Sequence, residues 1–223
     1  MLRKLTLAAL GIGSLFVAFS GSSEIGFSVT VENGIGQVSA GTSPLSLGAA
    51  LVILIAYVLV LDPNPDVQPG SVPASTLRRG FAWFCDLILA LTAVSAVIAL
   101  LPLASEAIAT GQFQWQFERN SVTLGDWLVG FVGIALMYAG LAIYWGLPPA
   151  RGGQTIGQAV SGLRVVSATS EPLTLRGCLL RGALQPFAPL LWFTRFLSSR
   201  RSYWYDDFAH AQVVTTTTVR RAA

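Results

Sequence analysis

The sequence predicts an all-α membrane protein, with four transmembrane helices, a re-entrant or interfacial C-terminal segment, and small β elements in the loops. Three observations predict it. The 223-residue chain is 53% hydrophobic and only 11% charged, with a mean hydropathy of +0.62, whereas soluble domains carry about 25% charged residues. Apolar stretches recur at about the 20 residues that a hydrocarbon core requires. Lys and Arg fall almost entirely on one side of those stretches. This composition excludes a disordered chain, which needs low hydrophobicity and high charge, and leaves little sequence for an aqueous domain.

The four stretches are residues 5–19, 45–61, 81–103 and 127–147. The first is short, follows Arg3 and Lys4, and ends on small residues. It reads as a retained span or as a cleaved signal peptide, and both readings place the next residues outside. Of the 14 Lys and Arg residues, all but Arg119 then lie on the inner side. The outer loops hold Glu24, Glu32, Glu106, Glu118 and Asp126. Basic residues favour the cytoplasmic side, so the expected location is a prokaryotic inner or plasma membrane, multi-pass, with both termini cytoplasmic.

A fifth apolar stretch, residues 178–193, carries Arg181, Pro186 and Pro189. A crossing there would export Arg195, Arg200, Arg201, Arg220 and Arg221. Buried Arg and interior prolines are also costly in a lipid-facing helix, so a bent, re-entrant or interfacial segment is expected. Trp83 and Trp145 suit the inner interface and Trp127 the outer one. Thr92, Ser95, Ala96 and Ala99 would let a neighbouring helix approach closely.

In the outer loops, residues 27–31 alternate and Glu32-Asn33-Gly34 signals a hairpin into residues 35–40. Phe113, Trp115 and Phe117 alternate with glutamines and suggest a strand turning at Arg119-Asn120-Ser121 towards 122–124. Isolated hairpins are marginal, so these strands are expected to pack together. Pro63, Pro65, Pro69, Gly70 and Pro73 read as a linker. It separates an N-terminal two-span region, residues 1–76, from a membrane domain, residues 77–223. On the inner side, residues 162–166 and 213–217 read as strands that pair.

Asp86 is the first candidate for chemistry, because a carboxylate inside a span is expensive and generally functional or paired. Arg79 lies roughly 10 Å back along the helix axis, too far for an easy ion pair, and would snorkel to the lipid phosphates. Arg181, Arg151 and Arg195 are the partners expected for Asp86. The glycine-rich run from Arg151 to Gly157 has no Lys-Ser/Thr pair and reads as a tight turn rather than a phosphate loop. Cys85 and Cys178 lie in apolar segments and His210 stands alone, so no disulfide framework, metal or cofactor is expected. No nucleophile elbow or Ser-His-Asp set is present, and no enzyme is expected.

Arg79-Gly-Phe-Ala82-Trp-Phe-Cys-Asp86 resembles the opening motif of the RDD family of multi-pass membrane proteins. Gly153-Gln154-Thr155-Ile156-Gly157, Gly162-Leu163-Arg164-Val165-Val166 and Arg181 resemble its second motif. Tyr205-Asp206-Asp207-Phe208-Ala209 resembles its closing motif, with Asp206 the better match to the family's Asp. The likeness covers residues 77–216. Gln158 stands where the family often has Lys, and Tyr205-Asp206 stands where His-Asp is usual. The resemblance implies transport, with sodium/proton exchange suggested for some members, and concentrates attention on Arg79, Asp86 and Asp206. The expected charge network is Arg79, Asp86, Arg164 and Asp206, with Asp206 drawn to Arg164 or Arg79. The expected function is transport of small cations or protons. The alternative is a non-catalytic membrane scaffold or accessory subunit that binds another membrane protein. The partners would be the bilayer and a homo-oligomer or other membrane protein, with no role for nucleic acid.

Overall fold

Three helices carry the long apolar stretches. A computed structural model describes residues 26–32, 35–61, 67–169, 171–191 and 203–218. Helix α1, Pro44–Leu61, opens on a proline in its first turn, where a missing N–H is harmless, and the Ser46 N–H donates to Ser43 Oγ at 3.1 Å. Helix α2, Thr76–Ile98, is followed by α3, Leu100–Thr110, in one apolar stretch of 35 residues. The break falls at Ala99 because Pro102 has no N–H for the Ile98 carbonyl and its ring crowds that oxygen. The stretch therefore extends beyond the expected 81–103 at both ends. Helix α4, Leu124–Ala150, is the third stretch of membrane-spanning length and hydropathy. The protein is mostly helical, with three such helices among the described residues. The expected first span, residues 5–19, lies outside those residues.

The chain divides into two units. Among the described residues, one comprises 55–61, 67–90, 141–169, 171–191 and 203–218; the other comprises 26–32, 35–54 and 91–140.

In the first unit, short helix α5, Ile156–Ser161, is closed by Gly162 in the left-handed region at φ +64°. Strand β5, Leu163–Ser167, follows directly. The expected inner pairing forms: β5 lies antiparallel to β6, Ala211–Thr218, with Val165 opposite Val213. The Pro-rich linker is corrected in part. Residues Val67–Pro73 form strand β3, which pairs antiparallel with β6 in a sheet of order β3-β6-β5. Prolines are tolerated there because β3 is an edge strand, and its register shifts between Pro69 and Pro73. Pro63 and Pro65 lie outside the described residues. Ala82, Leu163, Val165 and Val213 pack between α2 and this sheet.

The fifth apolar stretch bends as its prolines require. Helix α6, Leu175–Leu184, gives way to a 3₁₀ turn at Gln185–Phe187 and then to α7, Ala188–Leu191. Short helix α8, Trp204–Asp207, precedes β6. Trp145 is a second correction. It is 1% exposed, with its ring edge-to-face against Tyr144 at 6.0 Å, so it packs inside the protein instead of lying at an interface.

In the second unit, β1, Gly26–Glu32, and β2, Ile35–Gly41, form the expected antiparallel hairpin, with Val29 opposite Val38. The third strand differs from expectation. Strand β4 is Gln116–Arg119 and pairs with β2, whereas Phe113 and Trp115 precede it and Leu124 opens α4. The Thr123 N–H donates to Asp126 Oδ2 at 2.7 Å, a helix-start bond that takes this segment out of strand pairing. Ala96 and Ala99 are buried, and methyl groups of Ile98 and Val94 come within about 3.3 Å of where side chains would start at Gly133 and Gly140 of α4.

Candidate functional site

Asp86 sits on α2, 2% exposed, and its carboxylate accepts three hydrogen bonds from neutral donors. Tyr144 Oη donates to Oδ1 at 2.7 Å, the Gly157 N–H donates to the same oxygen at 2.7 Å, and Thr155 Oγ1 donates to Oδ2 at 2.6 Å. Tyr144 comes from α4. Thr155 and Gly157 belong to the start of α5, where Thr155 and Gln158 form a reciprocal capping box. At this helix start the free Gly157 N–H is the one that meets the carboxylate. A Cβ on Gly157 would lie 2.3 Å from the Ala82 carbonyl oxygen and 2.7 Å from Asp86 Cγ, so only glycine permits this approach. Tyr57 of α1 stacks on Tyr144 at 4.9 Å and donates to the Ile143 carbonyl at 3.2 Å, closing one side.

This corrects Arg181 and Arg151 as the partners expected for Asp86, while Arg195 lies outside the described residues. Among the described residues no arginine pairs with it. Arg181 instead donates from Nε to Asp206 Oδ1 at 2.8 Å, and Arg79 pairs with Asp206 Oδ2. Asp206 is thus the acceptor for two guanidiniums, and it and Arg181 are each 2% exposed. Arg79 does not snorkel; its guanidinium lies 3.9 Å from the Tyr203 ring centroid and donates to Tyr205 Oη at 3.3 Å. Burial alone pushes the Asp206 carboxyl up, but the Arg79 and Arg181 guanidiniums outweigh it and hold the group below the usual carboxylate range. Burial pushes the neighbouring Tyr205 phenol up.

The expected attraction of Asp206 to Arg79 is realised, and that to Arg164 is not. Arg164 Nη2 donates to the Gly152 carbonyl, and burial draws its pKa down. Asp207 is exposed beside the buried Asp206. Sequence reasoning missed Tyr144 and Tyr203, and it named Thr155 and Tyr205 only within motifs, without a role. The spacing Thr155-x-x-Gln158 was the available signal, since it marks a helix start whose N–H groups seek an anion.

Both clusters line one small cavity of about 20 Å³, room for about one water molecule. Arg79, Asp86, Gln158, Arg181, Gln185 and Tyr205 contribute to its wall. Trp83, on the same wall, donates from Nε1 to the Gln185 carbonyl at 2.8 Å. In the other unit, Arg119 pairs with Glu106 at 2.9 Å and with Asp126, a separate network the sequence had not suggested. Among the described residues no three His, Cys, Asp or Glu side chains converge as metal ligands.

Apolar helices of spanning length, joined to a buried network of acids, arginines and hydroxyls, define a polytopic helical membrane protein. The model of the RDD family matches residues 73–210, and the chain belongs to that family of membrane proteins. All three motifs meet in the two clusters: Arg79 and Asp86 from the first, Thr155, Gly157 and Arg181 from the second, Asp206 from the third. Neither the curated proteins nor the solved structures hold a significant match to the chain.

Proposed function

We propose that this RDD-family protein transports small cations or protons across a cell membrane, with Asp86 as the charge site. The observation that carries this reading is the character of its three partners. Asp86 is satisfied by two hydroxyls and one amide, all neutral, and it reaches a polar cavity. Neutralising it strands no cation, and either hydroxyl can turn from donor to acceptor when it does. Asp206 differs, because neutralising it would leave two buried guanidiniums without their counter-charge. In this reading Asp86 cycles, while Asp206 holds the surrounding elements in place.

The charge distribution supports an orientation with both termini cytoplasmic. The cavity is small for a complete pathway, so the reading includes assembly as a homo-oligomer or with a membrane-protein partner. It assigns no enzymatic step. The test is ion- and pH-driven flux in proteoliposomes, comparing wild type with Asp86→Asn at matched incorporation. Flux reduced to the background of empty vesicles by Asp86→Asn, with an unchanged elution profile in detergent, is the expected result. Well-folded wild type that moves neither protons nor alkali cations overturns it.

A second reading, a non-catalytic scaffold, is favoured by the double ion pair that fastens α8 to α2 and α6. A rigid module of that kind suits a protein that positions another. Its discriminating result is specific recovery of a membrane partner by a protein that shows no flux.

A further inference from the structure

Among the buried polar atoms that lack a protein partner are Nη1 of Arg181 and Oε1 of Gln185. Their side chains are 2% and 8% exposed, and both line the cavity beside Asp86. They stand four residues apart, which puts them on one face where α6 runs into the 3₁₀ turn. Buried polar groups are nearly always satisfied, so an unpaired donor and an unpaired acceptor on two side chains that line one space call for one occupant.

The chemistry of that occupant is restricted. It must accept from a guanidinium and donate to an amide oxygen. A metal ion would suit the amide oxygen and be repelled by Arg181; a simple anion would suit Arg181 and be repelled by the amide oxygen. Water does both, and about 20 Å³ admits one. We propose that the cavity is an internal water site, its water held between Arg181 Nη1 and Gln185 Oε1, and that this water exchanges protons with Asp86.

The second half rests on the reading of Asp86 as the charge site and narrows its substrate to the proton. The site water hands one proton to the Asp86 carboxylate as it takes another from the aqueous side, so that no cation rests beside Arg181; a carboxylic acid forms, the water is regenerated, and the reverse transfer restores the carboxylate. Metal coordination at Asp86 is disfavoured by its own surroundings. One of its three contacts is an N–H, which cannot ligate a cation, and the Gly157 backbone is pressed against the carboxylate. The other ionisable groups on the cavity wall are Arg79, Arg181 and Tyr205.

The test uses Gln185→Met, which keeps length and removes the acceptor. Radiolytic labelling with ¹⁸O-water reports water lodged beside Trp83 and Tyr205, both on the cavity wall. Labelling of these two side chains is expected in wild type and should fall at least threefold in Gln185→Met. Absent labelling in wild type, or equal labelling in the variant, overturns the water site. Flux is measured in parallel with N-methylglucamine as the only added cation. Asp86-dependent proton flux that persists in this buffer and falls at least fivefold in Gln185→Met supports the relay. Asp86-dependent flux that requires sodium and ignores Gln185→Met overturns the relay and leaves the transport reading standing. Absence of Asp86-dependent flux in every buffer overturns the transport reading and the relay together, and labelling then decides the water site by itself.

Discussion

Asp206 and Asp86 are both carboxylates at 2% exposure, yet Asp206 meets two guanidiniums and Asp86 only neutral donors. Asp206 neutralises Arg79 and Arg181 at once. Removing one member of a buried ion pair costs about 3–5 kcal/mol, because the remaining charge stays in low dielectric without compensation. Asp206→Asn is therefore expected to lower stability by about that amount, seen as a fall in thermal midpoint in detergent. The pH dependence has a definite sign. The folded pKa lies below the unfolded value of about 3.9, so this stabilisation is complete above the unfolded pKa and fades as pH falls through the folded one. Wild type should thus lose stability below about pH 4, and Asp206→Asn should show a smaller loss over that interval. An identical acid limb in both proteins would contradict the assignment. Asp86 and Asp206 themselves stood out in the sequence, through depth in a span and through the closing motif. Their partners did not, because Tyr144 is one aromatic in an apolar run and Thr155 one hydroxyl in a glycine-rich turn.

At the scale of elements, glycines govern how closely the helices approach. A Cβ on Gly182 of α6 would lie 2.3 Å from the Ala142 carbonyl oxygen and 2.8 Å from the Gly146 backbone nitrogen, both in α4. These are backbone atoms and cannot swing aside. Overpacking of this kind costs about 1–3 kcal/mol, so Gly182→Ala should destabilise the protein by that amount. Gly48 in α1 has nothing within 4 Å of its added Cβ. Gly48→Ala should be neutral or slightly stabilising, since alanine is the better helix former by about 1 kcal/mol. Thermal unfolding of the two variants side by side checks the contrast. The long helices were legible because 20 apolar residues admit few other structures. The bend after Leu184 was legible because Pro186 removes a backbone donor. Strand β3 was not, since Pro69 and Pro73 signal a break locally and only the edge position beside β6 makes them acceptable. The aromatic alternation at Phe113, Trp115 and Phe117 was misleading for a related reason. Pairing with β2 sets the strand at Gln116–Arg119, and periodicity alone does not report where a partner ends.

For the whole molecule, the distribution of charge leads to a test of orientation. All Lys and Arg residues but Arg119 fall in segments assigned to the inner side, and such a bias orients spans during insertion. Two exposed positions bracket the assignment: Gln112, in the segment between α3 and β4, and Arg176, in the first turn of α6. In a background with Cys85 and Cys178 replaced by alanine, Gln112→Cys should react with a membrane-impermeant maleimide added to intact cells. Arg176→Cys should react only after the membrane is opened. Removing one of the many inner basic residues leaves the bias intact, so the substitution does not itself disturb the orientation it reports. Labelling of Arg176→Cys from outside would place α6 on the outer face. The charge argument would then fail, and α6 and β5 with their arginines would face the exterior. The expected pattern would instead put the start of α6, and with it Arg181 and the cavity beside Asp86, towards the cytoplasmic side. In a transport cycle that is the side from which Asp86 would exchange its charge.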